Sequence, residues 1–170
     1  MKKKTIGICV GVLLMLLLGV WLFTLPIACG KGWCITKADV NQYKEYDKTF
    51  STAAGSAASS YETILTSRIR NSLLLHAPSL PSITQEDAAR YRTEILRLTE
   101  EKDVERIGFS SLSAYDTAVI IPFLTQEALM KKFKVSDPAL LYAQLAQNQS
   151  VVLLLKGYTW NTESAQVIPQ

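Results

Sequence analysis

The sequence predicts a mainly helical protein: a single N-terminal transmembrane helix, then a long helix and a small helical bundle, ending in a strand or short C-terminal β-hairpin. Three observations carry this prediction. No charged side chain occurs between Thr5 and Gly30. Apolar residues recur at spacings of three and four from Val40 to Leu73. Helix start signals recur later in the chain, at Thr84, Ser113 and Asp137.

The organisation follows in order. Residues 1–4 are a cytoplasmic stub, 5–30 a signal-anchor helix, 31–37 a juxtamembrane loop and 38–170 an extracytoplasmic domain. The run VGVLLMLLLGVWLF supplies the roughly 20 apolar residues that cross the hydrocarbon layer of a bilayer, and it lacks the polar face of a soluble helix. Gly7 and Gly11 form a GxxxG pair and Gly19 continues the row, a pattern that lets membrane helices pack closely and favours self-association. Lys2, Lys3 and Lys4 bias the N-terminus to the cytoplasmic side, with Lys31 and Lys37 competing on the other flank. The expected location is a bacterial inner membrane, single-pass, with the domain in the periplasm and the lipid bilayer as one partner.

The formal charge of +3 does not indicate a nucleic-acid surface, since those three lysines account for it. The remainder carries 15 basic against 15 acidic residues, without a basic stripe interleaved with aromatics.

The junction Leu25–Cys34, LPIACGKGWC, admits three readings. As a signal peptide, Ala28 and Gly30 would be the small residues before a cut at Lys31, but the apolar run is too long for that to lead. Leu25-Pro26-Ile27-Ala28-Cys29 resembles in part the lipidation box of bacterial lipoproteins, with Pro26 where that box usually has Leu. The preferred reading retains the helix, ended by Pro26 and Gly30, with Trp21 and Trp33 near the headgroups. Cys29 and Cys34 flank a short Gly-containing loop that could close a disulfide in an oxidising compartment, whereas lipidation would consume Cys29.

From Ala38 to His76 the stripe Val40, Tyr43, Tyr46, Phe50, Ala53, Ala57, Tyr61, Ile64 predicts one long helix, changing phase near Tyr61. Its middle, STAAGSAASS, reads either as a linker or as a helix face stripped to small residues. The helical reading is preferred because Ala is the best helix former. It makes Ala53, Gly55, Ala57 and Ala58 a candidate partner interface. Pro78 and Pro81 end this helix.

Thr84 with Asp87 predicts a capped second helix to about Arg106, paired antiparallel with the first and carrying Glu86–Arg90 and Arg97–Glu101 charge pairs. Beyond Gly108, Ser113 and Asp116 open a helix that Pro122 limits, and Thr125 opens another through TQEALMKKF. Asp137-Pro138 starts a further helix over ALLYAQLAQ, and SVVLLLKGYTW reads as a strand or hairpin.

A catalytic set is not evident. His76 is the sole histidine, so a metal site needing two is excluded, and its place beside LLL favours a helix-end contact over a general base. The acidic stretch EEKDVE is interspersed with lysine and reads as a solvated face. No phosphate loop or CxxC motif occurs, and no cofactor or metal is expected. The sequence therefore points to a non-enzymatic structural or assembly subunit of a bacterial envelope complex, such as a secretion or conjugation machine, working by association with other envelope proteins. The alternative is a periplasmic inhibitor or immunity-type lipoprotein, and a third reading is an envelope hydrolase with an unrecognised site.

Overall fold

Where the apolar run meets ordinary sequence, the chain forms a β-hairpin instead of the end of a helix. A computed structural model describes residues 24–170 apart from position 79. In it β1 (Pro26–Gly30) turns through Lys31 and Gly32 into β2 (Trp33–Thr36), placing Cys29 opposite Cys34 and Gly30 opposite Trp33. The alternation of WCIT explains the hairpin: Trp33 and Ile35 are buried while Cys34 faces out, a period-two pattern that no helix satisfies. Among the described residues no helix is long and apolar enough to cross a membrane, which corrects the transmembrane helix expected over 5–30. Gly7, Gly11 and Gly19 lie outside the described residues. The expected loop over 31–37 is a turn, a strand and the first residue of the next helix.

The long helix expected from Ala38 to His76 is two helices. The first, α1 (Lys37–Ala54), opens on a capping box in which Thr36 Oγ1 accepts from Asp39 N at 3.2 Å and Thr36 N donates to Asp39 Oδ2 at 2.7 Å. It closes at Gly55, whose φ of 66° is left-handed. Gly55 N donates to Thr52 O and Ser56 N to Ser51 O, which is the paired closure of a Schellman motif. Residues 55–60 are exposed and non-helical, held back against α1 by Ser59, whose N–H and hydroxyl both donate to the Asp47 carboxylate at 2.6 Å. Ser60 then caps α2 (Tyr61–Leu75), which buries Ile64, Leu65, Ile69, Leu73 and Leu74.

The second expected helix is interrupted as well. It runs as α3 (Gln85–Tyr91), widens into a π-turn over Arg92–Leu96, and stops at Arg97 with φ 56°. A short α4 (Glu101–Glu105) follows. The widening lets Arg92 fold inward, its Nε donating to Asp116 Oδ1 at 2.8 Å and its Nη1 to Leu98 O at 2.6 Å. Of the two charge pairs expected here, the observed partner of Arg90 is Asp87, three residues back.

Pro122 does not end a helix. Backbone that begins as α5 (Leu112–Tyr115) passes through a second π-turn, Asp116–Ile120, into α6 (Ile121–Phe133) without leaving helical dihedrals. A proline ring normally clashes with the carbonyl four residues back. The wider turn immediately before Pro122 relieves that contact, and Thr125 lies buried inside α6 instead of starting a new helix. The cap is Ser111, whose Oγ accepts from Ala114 N, in place of the expected Ser113.

Asp137 caps α7 (Pro138–Asn148). The chain then adds β3 (Val152–Leu153) to the free side of β1, giving a three-stranded sheet in the order β2-β1-β3. The C-terminal hairpin is formed further on, by β4 (Tyr158–Asn161) and β5 (Gln166–Pro169).

Helix α2 is the centre of the molecule, packing against α1, α6, α7 and β5. The main core gathers Ile35, Val40, Leu65, Ile69, Leu73, Leu129, Leu141 and Leu145. A second, smaller core holds Ala88, Val104, Phe109, Tyr115 and Ile120. So α1 pairs with α2, and α3 packs on α6, where an antiparallel pair of the first and second helices was expected.

Candidate binding cleft

Between the two cores, one face of α1 meets the segment that follows α4. Tyr43, Tyr46 and Phe50 fall at helical spacing on α1 and point the same way, which the sequence shows as part of an apolar stripe. The opposing segment approaches closely because residue 108 is glycine. Its φ is 94°, and a Cβ there would lie 3.1 Å from Thr49 Cβ on α1. This approach stacks Phe109 on Tyr46, with ring centroids 4.7 Å apart and planes at 28°. Tyr115 meets Phe109 edge-on at 5.2 Å, and Tyr43 meets Tyr46 edge-on at 5.8 Å.

The aromatic cluster leaves an open cleft of about 420 Å³, walled by Tyr43, Tyr46 and Phe50 on one side and by Ile107, Phe109 and Val119 on the other, with Ile64 of α2 contributing. Phe50 is 55% exposed at this cleft, a large apolar ring left in water. A second cleft of about 540 Å³ shares Tyr43 and Tyr46 but has a different character. Gln42, Arg68, Asn71, Ser111, Ser113 and Thr117 line it, and Arg68 is the one charged residue among them.

Burial pushes the Tyr43 phenol up, while the neighbouring Arg68 guanidinium pulls it the other way. Burial likewise raises Tyr115, with the Asp116 carboxylate adding to it. Both phenols therefore stay protonated at neutral pH and serve as neutral hydrogen-bonding groups. The clefts offer apolar area, aromatic faces, hydroxyls, amides, the Arg68 cation and, in the first, the Asp47 carboxylate that Ser59 engages, which is equipment for binding.

The stripe of Tyr43, Tyr46 and Phe50 lies at the cleft, but the candidate site residues singled out from the sequence are elsewhere. Cys29 and Cys34 are joined in a disulfide across β1 and β2, with their Cα atoms 4.1 Å apart. Direct cross-strand placement explains the pairing, and a Cys29 sulfur so used is not available for lipidation. Ala53 falls in the last turn of α1, Gly55 forms its left-handed cap, and Ala57 and Ala58 are exposed in the connection that follows. They do not form a helical face, because the chain leaves the helix at Gly55. His76 Nδ1 sits 2.9 Å from Ser72 O at the end of α2, beside the Trp33 ring. Among the described residues no group of three or more His, Cys, Asp or Glu side chains could hold a metal ion. Reasoning from sequence missed Phe109, Tyr115 and Arg68. The Gly108-Phe109 pair was the available signal for the first of these.

No family model matches this chain, and comparison with curated proteins and with solved structures also finds no match.

Proposed function

We propose that the chain is a non-enzymatic binding subunit of a bacterial envelope complex, such as a secretion or conjugation machine, and that it acts outside the cytoplasm. It associates with another envelope protein by receiving an apolar side chain in the aromatic cleft. The observation that carries this reading is Phe50, exposed at the edge of a preformed cleft walled by Tyr46, Phe109 and Val119. Buried aromatic contacts of this kind dominate the energetics of protein interfaces. The Cys29–Cys34 disulfide favours the extracytoplasmic location, because such bonds persist in oxidising compartments.

A photoreactive side chain placed at Phe50 of the full chain, expressed in its host, tests the proposal. A discrete adduct with one envelope protein is expected, absent when the same group is placed at Ile168 on the C-terminal hairpin. Ser67→Trp fills the cleft from its exposed rim and should abolish the adduct while leaving the circular dichroism spectrum unchanged. An adduct that persists in Ser67→Trp, or none at position 50, would overturn the reading.

A further inference from the structure

We infer that the second cleft is a carboxylate site, so that the partner's binding segment carries an acidic group next to its apolar side chain. This rests on the aromatic cleft being the docking site proposed above. Four observations carry it. Arg68 is the one charged residue lining that cleft, and no acidic side chain shares it. The side chain of Arg68 has no ion-pair partner among the described residues. Its Nε is buried without a hydrogen-bond partner. Its guanidinium lies over Tyr43, with Cζ 3.8 Å from the ring centroid, a cation–π contact that holds the cation at the cleft wall.

An arginine is charged at every accessible pH, and withdrawing it from water without a counter-charge is unfavourable. Arg68 is half-buried, and among the described residues no counter-charge lines this cleft, which leaves that place to a ligand. A single guanidinium neutralises a monoanion one for one, and its planar array of donors matches a carboxylate. A phosphate dianion would leave excess negative charge in a cleft with no second cation. Neutral donors around it, including Asn71, Gln42 and Ser113, can complete the hydrogen bonding of the remaining carboxylate oxygens. Because Tyr43 and Tyr46 border both clefts, an apolar side chain seated in the first places its near neighbour in the second. The carboxylate is that of a polypeptide, either a Glu or Asp side chain or a free C-terminus.

The test is retention of the full chain on an array of synthetic hexapeptides. Each carries Phe, Leu or Gly at a central position, followed within three residues by Glu, Gln or phosphoserine, with the C-terminus amidated or free. Phe- and Leu-containing peptides with Glu should retain about tenfold more protein than their Gln counterparts. That preference should disappear in Arg68→Gln and be partly restored in Arg68→Lys. Phe50→Ala should weaken Glu and Gln peptides alike. A preference for amidated Glu peptides assigns a side-chain carboxylate, and one confined to free C-termini assigns the terminal group; either supports the site. Equal retention of amidated Glu and Gln peptides with no gain from a free C-terminus, or stronger retention of phosphoserine, overturns the carboxylate site. If Phe and Leu still exceed Gly in that event, the aromatic cleft stands without it. If Gly peptides bind as well as Phe peptides, the docking reading itself fails.

Discussion

Gly30 faces Trp33 across the first hairpin, and the absence of a side chain is what lets the indole lie there. A Cβ at position 30 would come within 2.4 Å of two indole carbons. The ring cannot swing away cheaply, since Trp33 is buried and its Nε1 donates to the equally buried Gln149. Gly30→Ala should therefore destabilise the protein by about 1–3 kcal/mol, as overpacked sites do, read from urea unfolding followed by Trp fluorescence. Asp87 makes a different single-residue prediction. Hydrogen bonds from the Thr84 N–H and hydroxyl hold its carboxyl below the usual range, with Arg90 adding less. A carboxyl depressed in the folded state contributes stability that is present above its unfolded value and lost as pH falls through the folded one. The stability gap between wild type and Asp87→Asn should accordingly shrink as pH drops from about 5 towards about 2. A gap that grows on acidification would contradict this assignment. Thr84 and Asp87 were legible in the sequence because a capping box is a local pattern; Arg68 was not, because its meaning depends on having no counter-charge nearby.

The most informative elements are the two π-turns. Each begins at one member of a single ion pair: Arg92 opens the first and Asp116 the second. Both side chains are nearly inaccessible, at 8% and 4% exposure. The pair clamps α3 to the helix running from α5 into α6, and so fixes the wall of the cleft that carries Tyr115 and Val119. Removing one partner strands a buried charge, so Asp116→Asn should cost about 3–5 kcal/mol. Replacing both together, Arg92→Met with Asp116→Leu, should recover much of that loss. Thermal melts of the wild type and these two variants check this; a double variant worse than the single would show that the ion pair contributes net stability. These turns could not be read from periodicity. Proline at position 122 announced a break, yet a break and a widened turn leave the same mark on the sequence, and only the partner 24 residues away distinguishes them.

At the scale of the molecule, the disulfide closes a very short loop across one hairpin of a protein whose main core lies around α2. Loop-closure entropy for so few residues is worth about 2 kcal/mol, well below what a core of this kind supplies. Reduction should lower the unfolding midpoint without abolishing the cooperative transition, and near-ultraviolet circular dichroism of the reduced protein should keep its tertiary signal. Complete unfolding on reduction would mean that the hairpin organises the core. By itself the sequence determined the mainly helical character, the caps at Thr84 and Asp137, the pairing capacity of Cys29 with Cys34, and the stripe of Tyr43, Tyr46 and Phe50. All of these rest on interactions within a few residues, where spacing and chemistry are sufficient. The tertiary structure decided that Pro26–Gly30 is a strand, that the small-residue stretch leaves the helix at Gly55, and that Phe109 and Arg68 join α1 in forming the clefts. Apolar runs satisfy a strand or a helix equally until a partner strand is present, and a cleft exists only between surfaces that the chain brings together from far apart.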